Sequence, residues 1–152
     1  MNISMSGSSS SVADTVLAAN ARLIDAIEAG DFAAYSAGCA DDLTCFEPEA
    51  RGSRVSGLAF HNFYFKLGGG GGADPTTSRQ CTLVEPQCRL VGDGTAAVVT
   101  YVRLVQQHGG GAGAGPPTTA KFEETRVYEK RGSGETKGEN WICVHFHRSI
   151  GT

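Results

Sequence analysis

A chain of 152 residues with 40% apolar residues has room for one domain with a substantial core, and a second domain is not expected. A formal net charge of −3 with no long run of Lys or Arg argues against a nucleic-acid partner. No stretch approaches the roughly 18 consecutive apolar residues of a membrane span, and no charged-then-apolar leader opens the chain, so a cytoplasmic protein is expected.

The five cysteines (Cys39, Cys45, Cys81, Cys88 and Cys143) are odd in number and lack CxxC spacing. This reads as reduced thiols, mostly in the core, and argues against a disulfide framework or a structural zinc site.

Residues 1–11 are rich in Ser and Gly with no apolar periodicity, so they are assigned to a disordered tail, leaving 12–152 as the folded unit. Val16, Leu23, Ile24 and Ile27 recur at helical intervals and predict an amphipathic helix from Val12 to Ala29, stopped by Gly30. Asp31 is placed to cap a second, shorter helix through Tyr35 to about Cys39. Leu43 to Glu49 is extended, with Pro48 limiting it to an edge or irregular strand. A third helix, Leu58 to Leu67, concentrates Phe60, Phe63, Tyr64 and Phe65, a cluster expected to pack on a sheet.

The glycine runs Gly68–Gly72 and Gly109–Gly115 cannot pack side chains and predict flexible surface loops; neither has the spacing of a phosphate-binding loop. The remaining chain is β in character: Ser78 to Val91, Thr95 to Gln107, Thr118 to Lys130 and Trp141 to Ser149, an antiparallel meander. Helices followed by strands predict an α+β domain, with helices laid on a strongly curved antiparallel sheet that encloses space.

Strand alternation gives the next signal. Arg103 falls on one face with Val99, Tyr101 and Val105; Arg126 with Phe122, Glu124 and Tyr128; Arg148 with Ile142, Val144 and Phe146. A guanidinium cannot shed its charge, so burial requires acceptors. Three readings stand: aliphatic stems covering apolar surface, pairing with carboxylates such as Glu124, or a cavity that accepts a carboxylate ligand. Ala96, Val98, Val102 and Leu104 make the second face of the same strand apolar too, which suggests cover by a helix or by another subunit.

Candidate chemistry is sparse. His145 and His147 share a predicted face with Cys143 but have no further ligand, and His61 is a core histidine or a cavity donor. A cavity enzyme of the isomerase or cyclase type would use Glu124 as general base with Tyr101 as hydrogen-bond donor. Guanidinium groups around that base would hold it ionised, which weakens it as a proton acceptor.

The segments GDFAAYSAGCADDLTCFEPEA (30–50), VSGLAFHNFYF (55–65), YVRLVQ (101–106), EETRVY (123–128) and VHFHRS (144–149) together closely resemble the association, or hub, domain of calcium/calmodulin-dependent protein kinase II. The likeness runs from about residue 14 to 149, in the family's order. It implies a nuclear transport factor 2-like cone without catalysis of its own, whose subunits pair and stack into a closed two-layered ring. It also implies a cavity lined by Arg103, Arg126, Arg148 and His61 that takes small carboxylates or peptide segments, and a kinase domain as fused or associated cargo. The family's aromatic-bearing loop after FYF is replaced here by Gly68–Gly72, which implies loss of an aromatic lid. No kinase motif occurs in the chain, and no cofactor is implied.

Overall fold

A computed structural model describes residues 11–68, 76–132 and 140–152. Helix α1 spans Val12–Ala29 and opens on a reciprocal capping box: the Ser11 hydroxyl accepts from the Asp14 N–H and the Asp14 carboxylate accepts from the Ser11 N–H. Ser11 therefore belongs to the helix start, while the rest of the predicted tail lies outside the described residues. Gly30 closes α1 in the left-handed region at φ 68°, a conformation that a Cβ disfavours. Asp31 then caps α2, Phe32–Ala37, its carboxylate accepting from the Ala34 N–H at 2.9 Å.

Strand β1 covers Cys39–Phe46, a 3-10 turn follows at Pro48–Ala50, and the short β2 is Val55–Ser56. Helix α3, Ala59–Lys66, precedes the four long strands β3 (Thr77–Val91), β4 (Ala96–Gly109), β5 (Thr118–Arg131) and β6 (Asn140–Ile150). The strand order is β2-β1-β6-β5-β4-β3. The predicted meander β3 to β6 is antiparallel throughout, but β1 runs parallel to β6, so the sheet is mixed rather than wholly antiparallel. Apolar periodicity marks a strand without naming its neighbour, and this pairing joins residues about a hundred positions apart.

Two bulges interrupt the antiparallel meander. In β3 the register slips between Val84 and Gln87, where Glu85 takes φ 49° and Pro86 offers no N–H to a ladder. In β6 one residue, Val144, is inserted: Val127 pairs with His145 and Tyr128 with Cys143. Beyond it alternation changes phase, so Trp141, Cys143 and Phe146 are all buried.

The core lies between α1 and the inner face of the sheet, where Val16, Leu23 and Ile24 meet Val99, Tyr128 and Trp141. Each fully buried aliphatic side chain there contributes about 1.5–3 kcal/mol. The Tyr128 hydroxyl donates to Asn20 Oδ1 at 2.8 Å, fixing α1 over β5. On β4, Ala97, Val99, Tyr101, Arg103 and Val105 are buried, whereas Ala96, Val98, Val102 and Leu104 on the opposite face are half-covered.

The second glycine run forms the exposed β4–β5 connection, where the Gly110 N–H donates to the Thr76 carbonyl at 2.6 Å. A Cβ at Gly110 would stand 2.5 Å from that oxygen, so the approach needs glycine. Gly69–Gly72, the replacement for an aromatic loop, lie outside the described residues. No helix among the described residues is long and apolar enough to cross a membrane.

Candidate functional site

Below α3, a cavity of about 350 Å³ is bounded by the inner faces of β4, β5 and β6 and by the turn after β1. Arg79, Arg103, Arg126 and Arg148 line it with Glu47, Glu49 and His61, and Phe122 and Phe146 supply apolar wall. Alternation along β4 and β5 is what turns Arg103 and Arg126 inward. Arg148 also faces the cavity, together with Phe146, but the Val144 insertion puts it out of phase with Ile142 and Val144. The expectation that these four share a face is therefore corrected. The same insertion separates Cys143, which is buried, from His145 and from the exposed His147, so the predicted Cys143/His145/His147 face does not exist.

Glu124 is the hub of the buried charge. Its Oε2 accepts from the Tyr101 hydroxyl at 2.5 Å and from Arg126 Nη2 at 3.2 Å, and its Oε1 accepts from Arg103 Nη1 at 3.2 Å. Arg126 Nε also donates to the Tyr101 oxygen at 2.9 Å, and its guanidinium stacks over Phe146 at 4.4 Å. Burial by itself would raise the Glu124 pKa; the charges of Arg126 and Arg103 and the Tyr101 hydrogen bond override it and hold the carboxyl below its ordinary value.

With a side chain 0% exposed and an ionised carboxyl, Glu124 has neither the access nor the basicity of a general base. Tyr101 and Glu124, expected on the cavity wall, lie behind the arginines instead. The isomerase or cyclase reading loses its base.

The other arginines are also paired. Arg103 Nη2 lies 3.4 Å from Glu28 Oε1, and Arg79 Nε donates to Glu28 Oε2 at 2.7 Å. Arg148 Nη2 donates to Glu47 at 3.2 Å and Glu49 at 2.5 Å, while its guanidinium covers Phe122 at 4.9 Å. Of the readings open from the sequence, carboxylate pairing accounts for the burial of all three strand arginines. One donor is left over: Arg103 Nε is buried without a partner.

Sequence reasoning missed Glu28, Glu47, Glu49 and Arg79. Glu28 stands four residues after Ile24 on the apolar stripe of α1, and Glu47 and Glu49 alternate along FEPEA. A carboxylate in an otherwise apolar pattern was the available signal.

His61 is the buried residue of α3, its ring packed between Tyr35 and Phe146 at centroid distances of 5.7 Å each. Its Nε2 lies 3.1 Å from Glu47 Oε1 and 3.4 Å from Cys45 Sγ. Cys45, Glu47 and His61 are the set among the described residues able to offer a metal three donor atoms at once. The aromatic cluster of α3 is split: Phe65 packs on Tyr35 and Phe32, whereas Phe63 is exposed.

A helix-wrapped curled sheet around such a cavity is the architecture of the nuclear transport factor 2-like proteins. An NTF2-like protein from Cytophaga hutchinsonii matches the fold at TM-score 0.64 over 91% of this chain and 97% of that one, at 16% identity. The profile of the calcium/calmodulin dependent protein kinase II association domain matches residues 13–152, so the chain belongs to that family. The C. reinhardtii CaMKII hub homology domain is 43% identical, with TM-score 0.74 over 91% of this chain and 97% of that one. The rabbit (Oryctolagus cuniculus) calcium/calmodulin-dependent protein kinase type II subunit delta is 41% identical over 128 residues, 84% of this chain. The aligned part is 22% of that relative's length, so the chain spans about a fifth of it. The chain is thus a hub domain with an oligomerisation role, and it is a non-catalytic module.

Proposed function

We propose that this hub domain assembles into a closed, two-layered ring of paired subunits that serves as a cytoplasmic scaffold, with a fused or associated kinase domain as cargo. The observation that carries the assembly is the second face of β4, where Ala96, Val98, Val102 and Leu104 are half-covered apolar residues. A second subunit laid on such a face removes it from water, and ring closure leaves no surface of that kind open. Native mass spectrometry of the purified domain tests this: a single large, even-numbered species is expected, and a monomer or simple dimer at micromolar concentration would sink the ring.

Within each subunit the cavity takes a small carboxylate or the carboxylate of a peptide side chain. Support comes from the unpartnered Arg103 Nε and from Arg148, whose glutamate partners sit at the cavity edge and can be exchanged for an incoming anion. Titration calorimetry with a short-chain carboxylate is the measurement. Arg148→Gln is expected to weaken binding about tenfold or more, as loss of a charged hydrogen bond worth about 1.5–3 kcal/mol requires. Unchanged affinity would reject the carboxylate role while leaving the assembly reading intact.

A further inference from the structure

We propose that Cys45, Glu47 and His61 form a three-ligand site for a divalent cation of borderline softness, zinc above all, in the wall of the cavity. The geometry of the three donor atoms is the first argument. Cys45 Sγ and His61 Nε2 are 3.4 Å apart, His61 Nε2 and Glu47 Oε1 3.1 Å, and Cys45 Sγ and Glu47 Oε1 3.8 Å. Zinc bonds of about 2.3 Å to sulfur and about 2.0–2.2 Å to nitrogen and oxygen place tetrahedral ligands roughly 3.3–3.6 Å apart. The triangle therefore accepts the ion with shifts of a few tenths of an ångström.

Local structure explains why the atoms meet. Cys45 is in the last turn of the pleat of β1, and Glu47 continues in extended backbone at φ −151° and ψ 156°, so positions 45 and 47 project to one side. His61 comes down from α3, held by rings on two sides. All three side chains are fixed before any ion arrives, which removes most of the ordering cost of binding.

The donor set selects the metal. Thiolate with imidazole suits zinc and its neighbours, whereas magnesium and calcium prefer oxygen ligands throughout. Glu47 and His61 both line the cavity, so the fourth coordination position opens towards it and takes water or a small anion. A bound ion takes the cysteine as its thiolate. Coordination therefore releases the thiol proton to solvent.

His61 Nδ1 is buried with no partner, so it lacks the outer acceptor that strengthens most ligating histidines. The site belongs to the exchangeable class and binds more weakly than a closed four-ligand zinc centre. Sequence spacing hid it, because CxE followed by a histidine fourteen residues later matches no zinc pattern. It does not depend on the carboxylate reading of the arginines.

The test uses the assembled, reduced, chelator-stripped domain titrated with cobalt(II) and then with zinc. One cobalt per chain with a thiolate-to-cobalt charge-transfer band is expected, and zinc displaces it. Cys45→Ser should abolish the band and weaken zinc at least tenfold, and His61→Gln should weaken zinc comparably. The double variant His145→Gln/His147→Gln should bind as the parent does. Absence of the band in the unaltered protein overturns the site without any variant. A band that survives both Cys45→Ser and His61→Gln also overturns it, by assigning the metal to other cysteines.

Discussion

The two ends of the cavity use the same pair of residue types in opposite ways. On the floor, Glu124 is enclosed by Tyr101, Arg103 and Arg126, with no exposed side-chain surface and every short contact made by protein. At the edge, Arg148 is 13% exposed and divides its guanidinium between Glu47, which is 8% exposed, and Glu49, which is 38% exposed, so water reaches this end through Glu49. A buried pair is costly to make and very costly to break, while an exposed pair exchanges partners freely. The floor is therefore architecture and the edge is where binding energy is available.

Substitution should separate the two ends sharply. Arg126→Ala leaves Glu124 charged and only partly compensated in the interior, and a loss of about 3–5 kcal/mol in urea denaturation is expected. A loss of about 2 kcal/mol or less would place the floor in the same class as the edge. This variant is unsuited to ligand studies, because it removes a support along with a contact.

Acid acts next on the same contrast. The carboxyls of Glu124 and Glu47 are depressed in the folded state, in both cases against an opposing effect of burial, by Arg126 and Arg103 for the first and by His61 and Arg148 for the second. Depressed folded values contribute stability that is complete above the ordinary carboxylate range, about 4.3 for Glu, and is lost as pH falls through the folded values. The urea midpoint should hold from neutrality to about pH 5 and then drop, with a shallower drop in Glu124→Gln.

Tyr101→Phe probes the floor more gently. It removes the hydroxyl that joins Glu124 to Arg126, with an expected cost of about 1–3 kcal/mol, read by thermal denaturation. Arg148→Gln should cost about 1–2 kcal/mol, less than Arg126→Ala, because the largely buried Glu47 keeps His61 as a partner and Glu49 turns to water.

Elements whose causes are local were legible in the sequence. The stripe of α1, the Gly30 stop and the Asp31 cap each act within a few residues, and strand alternation was enough to turn Arg103 and Arg126 inward. The family likeness rested on segments in which these features recur together. What stayed hidden depends on distant partners. The parallel β1–β6 pairing, the glutamates from α1 and the turn after β1, and the meeting of Cys45 with His61 all join segments that no periodicity links. Glu124 was singled out correctly as a partner for arginine, yet its depth behind them is a property of packing that alternation cannot give.

The inserted residue in β6 has one more implication. Val144 splits HFHRS from the preceding Trp-Ile-Cys segment into two half-strands running in antiphase, like a spliced tape shifted by one step. Deleting that single residue would restore an unbroken alternation from Trp141 onward and leave inside and outside unchanged downstream, because Tyr128 and Val127 would then face Cys143 and His145 as consecutive pairs. Phe146 and Arg148 would stay on the inner face with Trp141 and Cys143, and His145 and His147 on the outer one. The extra peptide unit is thus a spacer that can be removed without moving the chamber's wall, whereas adding a second residue beside it would slip every inward side chain that follows to the other face.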